Sequence, residues 1–428
     1  MLKRVIIFTA AILGIILVSA YVYRLPPVYE RLGWRVESLK ADVIYALNPP
    51  EQAIFVPNSG GKMTTPSPLV LTVTRTPTPT ISLTRVEATD TPIPSATITP
   101  TPTSIPGEAL LNGFTHAYQM WNNCGPANLA TGLSYWGWEG DQRDTAVYLK
   151  PNDRDKNVMP YEMEAFVEEE TDLNAIVRVG GDLELLKAFV SAGIPVIVEK
   201  GFEGTEFDGW MGHYEVINGY DDAKGEFYVQ DSYKGPDYAV SYEDMQEQWR
   251  AFNFLYFIPY PPKREAQVMD ILDMQANAHF NYRHAAQIAT EETERLSGRD
   301  LFFAYYNLGS SLISLNDYGA AAVAYDAAFA NYPSIPEKER PWRLLWYSTG
   351  PYFAYYYTGR YDDVIELATT TLQVMAEPIL EESYYWRAKA KLALGDNDGA
   401  IEDFKKSLEV HPDFGPSVDE LLRLGVEL

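Results

Sequence analysis

The chain holds one cysteine, Cys124, and its neighbours point to a nucleophile more than to core packing. The segment reads Gln119-Met120-Trp121-Asn122-Asn123-Cys124-Gly125-Pro126-Ala127, with Leu129 and Leu133 continuing an apolar stripe. Pro126 suits the first turn of a helix, where a missing N–H costs no hydrogen bond. Cys124 is therefore expected at a helix N-terminus, where the partial positive charge of the macrodipole stabilises a thiolate and lowers the thiol pKa. A buried structural cysteine would gain nothing from that position.

A thiolate nucleophile needs an imidazole partner. The chain has five histidines, and only His116 and His213 fall in the same region as Cys124. His213 heads the run Gly212-His213-Tyr214-Glu215-Val216-Ile217-Asn218-Gly219-Tyr220-Asp221, and a strand there would hold the ring in one place. His116 lies too near Cys124 along the chain to be its natural partner and is expected to be structural or to line a cleft. The imidazole in turn needs an acceptor that fixes its tautomer. Asp231 ends the next strand-like run, Glu226 to Asp231, and can reach His213 across adjacent strands. Asp221 and Asp222 lie in the connecting turn and are expected to face solvent. Gln119, five residues before the cysteine, can offer an amide N–H to a developing oxyanion beside the Cys124 backbone N–H.

These residues need a scaffold, and the sequence supplies one over residues 108–262. A helix is expected from about Gly125 to Trp136, with further helices over Tyr161–Glu170 and Asp182–Ala192. Strands follow at Pro195–Glu199, His213–Tyr220, Glu226–Asp231 and Phe254–Pro259, rich in apolar, aromatic and β-branched residues and punctuated by Gly and Asp. A helical first half and a stranded second half predict an α+β domain. The ordered set Gln-x-x-Asn-Asn-Cys-Gly-Pro-Ala, Gly-His-Tyr-x-Val-Ile-x-Gly-Tyr-Asp and Val-x-Asp-Ser resembles the papain-like cysteine peptidases. The nearest branch is family thirty-nine, the double-glycine or bacteriocin-processing peptidases, and within it the stand-alone peptidase-like relatives. The resemblance covers about residues 108–260. It implies a papain-like fold with Cys124 as nucleophile, His213 as base and acid, Asp231 as orienter and Gln119 as oxyanion donor. The sequence contains no Walker loop and no bundle of membrane spans, unlike the transporter-fused members of that family, so cleavage of double-glycine leaders is not expected.

From about Arg264 the pattern turns helical and self-similar. Three units align, carrying Gly309, Asn316, Tyr318, Ala321, Tyr325, Ala328 and Pro333, then Tyr352, Gly359, Tyr361, Val364, Ala368 and Leu372, then Ala388, Gly395, Ala400, Phe404, Leu408 and Pro412. They resemble the tetratricopeptide repeat, whose unit is ~34 residues. The Tyr332–Arg343 region is expected to hold an insertion, and a degenerate earlier unit is expected around Tyr282, Ala285 and Ala289. The expected architecture is thus an α+β papain-like domain followed by an all-α repeat solenoid over 264–428.

The remaining sequence concerns location. Lys3 and Arg4 precede an apolar run from Val5 to Tyr23, close to the ~20 residues that span a bilayer, and the basic leading end predicts that the body lies outside. A cleaved signal peptide competes with a retained anchor over 1–25, because Val18-Ser19-Ala20 resembles a cleavage site. Residues 26–61 are expected as a juxtamembrane segment with an amphipathic helix over Tyr29–Ala46. Residues 62–107 are rich in Thr and Pro and are expected as an extended, disordered stalk.

Composition removes several function classes. Fifty-nine Asp and Glu against 34 Lys and Arg give a formal charge of -25, which opposes binding to phosphate backbones. One cysteine excludes an internal disulfide and a Cys-clustered zinc or iron–sulfur site. No cofactor and no metal are expected. The leading expectation is a membrane-anchored, extracytoplasmic thiol peptidase acting through an acyl-enzyme on a protein or peptide substrate, with the repeats recruiting a protein partner. A catalytically silent papain-like binding module on a repeat scaffold remains open, as does acyl transfer by the same triad.

Overall fold

The computed structural model describes residues 14, 18–19, 21–23, 26–58, 105–152, 154–203 and 209–427. Most of the apolar run Val5–Tyr23 and most of the Thr/Pro stretch lie outside these residues. No helix among the described residues is long and apolar enough to cross a membrane.

The first described helix, α1 (Pro26–Leu47), precedes β1 (Glu108–Leu110), α2 (Cys124–Ser134), α3 (Gln142–Leu149), α4 (Pro160–Glu170), β2 (Asn174–Arg178) and α5 (Leu183–Ser191). Strands β3 (Val196–Glu203), β4 (Trp210–Asp221), β5 (Glu226–Asp231) and β6 (Gly235–Ser241) then run antiparallel to one another in chain order. Helix α6 (Tyr242–Arg250) and strand β7 (Tyr256–Tyr260) complete the domain. The sheet order is β2-β7-β3-β4-β5-β6, and β1 pairs with β4 beyond the end of β3.

Antiparallel strands covered on both faces read as apolar runs without clean alternation. One face packs Ile197, Tyr214, Val216 and Phe257 against Leu129 and Leu133 of α2 and Phe166 of α4. The other packs Val196, Val198, Ile217, Phe227 and Val229 with Leu186 and Phe189 of α5 and Trp249 of α6. Strand β4, at the centre of the sheet, is buried along nearly its whole length. A residue placed there cannot drift, and His213 sits three residues into it rather than at its head.

Helices α7 (Glu265–Leu272) and α8 (Ala278–Arg295) lead to paired helices. The pairs are α9 (Gly298–Ser314) with α10 (Tyr318–Asn331), and, after α11 (Leu344–Tyr347), α12 (Gly350–Tyr357) with α13 (Tyr361–Gln373). The last pair is α14 (Glu381–Ala393) with α15 (Asn397–Val410), and α16 (Gly415–Arg423) follows. A Cβ on Gly309 would stand 2.7 Å from the Tyr325 ring. Glycine there lets the first pair close around the tyrosine. Arg250 at the end of α6 meets Glu292 of α8 at 3.0 Å with both side chains buried, and Asn307 Nδ2 donates to the Arg250 carbonyl at 2.7 Å. The repeats are thereby fixed to the sheet domain.

Two parts of the chain pack more closely than their sequence suggests. The segment after α1 lays Phe55, 5% exposed, against Phe329 and Tyr355 of the repeats, with ring centroids 5.0 and 6.0 Å away. Arg340 also donates to the Glu51 carbonyl at 2.8 Å. Phe55 thus shares a repeat groove with Phe302, Tyr306 and Tyr332. The expected insertion after α10 is present and turns back onto the sheet domain, where Arg343 donates to the Trp210 carbonyl at 2.9 Å.

Candidate active site

Cys124 is the first residue of α2 and remains partly exposed. Asn122 before it adopts φ 50°, a left-handed conformation that asparagine tolerates better than most residues. The N-cap residue Asn123 makes no side-chain cap; its amide instead donates to Gln142 Oε1 at 2.9 Å. The same Gln142 oxygen accepts from the Met120 N–H at 2.9 Å, and Gln142 Nε2 donates to the Tyr118 carbonyl at 2.8 Å. One side chain on α3 thus staples the 118–123 loop that carries Gln119 toward the thiol.

The Cys124 thiol and the His213 imidazole act on each other electrostatically, and His213 Nε2 lies 2.9 Å from Asp231 Oδ1. Asp231 Oδ1 also accepts backbone N–H groups of Tyr233 at 2.7 Å and Lys234 at 3.0 Å. With Nε2 engaged by the carboxylate, Nδ1 is the ring nitrogen left for the thiol. Phe202 lies over the imidazole, with centroids 5.1 Å apart, and shields it from water. Cys124, His213 and Asp231, separated by up to 107 positions in the sequence, are brought within electrostatic reach of one another by the fold.

The electrostatics follow from burial and charge. Burial raises the Cys124 pKa, but the hydrogen bond and charge of His213, the Tyr214 backbone and the charge of Lys150 outweigh it and hold the thiol below its ordinary value. Burial lowers His213, yet the Asp231 charge and hydrogen bond, followed by Cys124, push it up to about 10. Burial also raises Asp231, and the His213 charge and hydrogen bonds reverse that, holding it well below the usual carboxylate range. The two shifts run in opposite directions and both favour a thiolate beside an imidazolium.

Gln119 is connected to the Cys124 backbone through a chain of hydrogen bonds. Asn128, fully buried on α2, shares the two N–H groups of Nδ2 among the Cys124 carbonyl at 2.9 Å, the Tyr214 carbonyl at 2.6 Å and Ser232 Oγ at 2.8 Å. Ser232 Oγ, accepting from Asn128, gives its own proton to Gln119 Oε1 at 2.8 Å. The Gln119 side chain, held through its oxygen, is thereby tied to the same network that holds the Cys124 carbonyl. Sequence reasoning missed Asn128, Ser232 and Gln142. The signal for Asn128 was a lone polar residue four positions after the cysteine, on the same helix face.

His116 does not join the line. Its Nδ1 meets Gln230 Oε1 at 3.1 Å, and burial lowers its pKa, leaving a neutral structural ring. Two further residues near the thiol were not foreseen. Glu199, 2% exposed, is pushed well above the usual carboxylate range by burial. Tyr347 comes from the insertion in the repeats and lies against Gly212, where a Cβ would stand 2.9 Å from its ring. The repeat domain therefore contributes a wall next to His213.

A nucleophile on a helix N-terminus, facing an imidazole on a central strand, defines the papain-like arrangement. Residues 111–257 match the Peptidase_C39 like family, and residues 304–334 and 381–414 match the tetratricopeptide repeat. A C39-like match over the sheet domain is thus followed by tetratricopeptide-repeat matches in the helical region. The first and third helix pairs account for the repeat matches, while the second opens with a helix of only eight residues. Among solved structures, the chain is similar to one from Bacillus anthracis described as a C39-like peptidase, at 19% identity and TM-score 0.30, covering 36% of this chain and 96% of that one. It is also similar to a double glycine motif protease from an AMS/PCAT transporter in complex with the leader peptide, at 20% identity and TM-score 0.28, covering 36% and 98%. No curated protein matches the chain.

Proposed function

We propose that this protein is a cysteine peptidase in which Cys124, His213, Asp231 and Gln119 carry out hydrolysis through an acyl-enzyme. The observation that carries the reading is the imidazole of His213, tied to the buried Asp231 carboxylate at 2.9 Å and acting electrostatically on the Cys124 thiol. In the proposed cycle the Cys124 thiolate adds to a peptide carbonyl, and the oxygen takes up negative charge facing the Gln119 amide and the Cys124 backbone N–H. His213 gives its Nδ1 proton to the departing amine as the C–N bond breaks, leaving a thioester on Sγ. A water then loses its proton to the same nitrogen and adds to the thioester. Collapse releases the carboxylic acid and restores the thiolate and imidazolium.

The repeats are proposed to recruit a protein partner or hold the substrate, since stacked helix pairs offer an extended binding surface. The basic residues Lys3 and Arg4, the apolar run behind them and the Thr/Pro stretch support an anchored, extracytoplasmic location. The test compares wild type with Cys124→Ala in labelling by a thiol-directed probe and in proteome-wide cleavage profiles. Cleavage products that vanish in the variant are expected. Equal cleavage by a folded Cys124→Ala protein refutes the proposal.

A further inference from the structure

A second group of reactive side chains lies where the last repeat meets the peptidase domain. Asp155 comes from the loop between α3 and α4, and Glu162 from the first turn of α4. Glu381 and Glu382 open α14, and His411 caps the end of α15. Asn152 Nδ2 donates to the Val410 carbonyl at 2.9 Å and fastens the two sides together. These residues are far apart in sequence, and no local spacing announces them.

One ligand atom each of Asp155, Glu381 and His411 lies within 4.8 Å of the other two. Donors held at ~2.1 Å from a common ion lie at most ~4.2 Å apart, so the group needs only a small closure to share one. Their present bonds leave that capacity. Asp155 Oδ1 accepts from the Asn157 N–H at 3.2 Å, and Glu381 Oε1 meets His411 Nδ1 at 2.7 Å. Glu162 Oε2 is occupied by the Met159 N–H at 2.7 Å. Glu382 provides the independent sign. It is 8% exposed, its Oε2 is buried with no hydrogen-bond partner, and the charged groups acting on it are Glu381, Glu162 and Asp155. Buried polar atoms almost always have a partner, and an unpartnered carboxylate oxygen under the electrostatic influence of three other carboxyl groups calls for a cation.

We infer that Asp155, Glu381 and His411, backed by Glu382, form a site for a divalent transition-metal ion such as Zn²⁺ that clamps the last repeat to the peptidase domain. Imidazole with carboxylates and no thiolate is the donor set that suits zinc or manganese. His411 would bind through neutral Nδ1, releasing any proton to solvent, while Glu381 turns from hydrogen-bond partner into ligand. The partly exposed His411 edge, at 17%, gives the ion a way in. The inference does not depend on the thiol being catalytic.

The test uses the full chain carrying Cys124→Ala, so that the thiol cannot take the metal, stripped with chelator and titrated with ZnCl₂ by calorimetry. One equivalent per chain and a raised thermal midpoint are expected, with Asp155→Asn and His411→Gln each weakening binding by about tenfold or more. In chelator, Asp155→Asn should itself raise the thermal midpoint, because it removes one of the mutually repelling carboxylates; a variant that merely damages the fold would lower it. The inference is overturned by a lack of saturable uptake, by uptake unaffected in both variants, or by a lowered midpoint of Asp155→Asn in chelator.

Discussion

Replacing Asp231 with asparagine keeps the shape of the site and removes one charge, and so isolates what the carboxylate contributes. Asp231 is the largest of the influences that raise His213 against burial, and it acts across 2.9 Å. The imidazole moves from 6.5 to about 10, which at about 1.4 kcal/mol per unit favours the imidazolium by roughly 4–5 kcal/mol. Losing only half of this, about 2 kcal/mol, lowers the His213 pKa by more than one unit. The signs then follow for each member of the pair. The imidazolium exists below its raised pKa and is lost as pH rises through about 10. The thiolate exists above its depressed pKa and is lost as pH falls through it. The active window lies between the two, and both limits belong to the coupled pair. In Asp231→Asn the alkaline limit should fall toward about 8, and the acid limit should rise toward the ordinary thiol range near ~8.5, closing the window. The rate of Cys124 alkylation by iodoacetamide, followed across pH by mass spectrometry, reports the thiolate without requiring a known substrate. A folded variant whose profile overlays that of wild type would refute the electrostatic argument.

Four other substitutions probe separate parts of the site and its supports. Gln119→Ala should lower kcat by about 10²–10³ with little change in KM, as expected for a lost oxyanion donor, and steady-state kinetics on an identified cleavage substrate would check it. Asn128→Ala strands the Cys124 and Tyr214 carbonyls and releases Ser232, costing about 2–4 kcal/mol in denaturant unfolding. It should also depress turnover by freeing the Gln119 amide. Gly212→Ala drives a methyl within 2.9 Å of the Phe252 and Tyr347 rings and should cost about 1–3 kcal/mol through overpacking, read as a lowered Tm. Phe55→Ala empties a repeat groove and should cost about 3–5 kcal/mol, with faster proteolysis between α1 and the repeats.

What the sequence disclosed, and what it concealed, divides along the range of the interactions. The helix beginning at Cys124 was legible because Pro126 and the Leu129/Leu133 stripe are local signals, and β5 was legible because Glu226–Asp231 is a bounded apolar run. Strand β2, strand β6 and helix α6 were missed. Residues 235–241 are mostly exposed along an edge strand, so no hydrophobic alternation marks them, and α6 starts directly from Ser241 with no intervening loop to punctuate it. The spacing of small and aromatic residues gave the repeats, because each pair packs on its sequence neighbours. The same reasoning could not find the support for the site. Asn128 earns its place only when Tyr214 and Ser232, 86 and 104 positions away, arrive beside it. Tyr347 reaches the His213 strand only because the insertion between two repeats folds back. The acidic group around Asp155 and Glu381 assembles from opposite ends of the globular region, and the sequence reading accordingly expected no metal there. Chemistry carried by one short motif can be read in order along the chain. Chemistry completed across a domain junction depends on how the domains meet, and in this protein the junction both walls the thiol site and buries a carboxylate cluster.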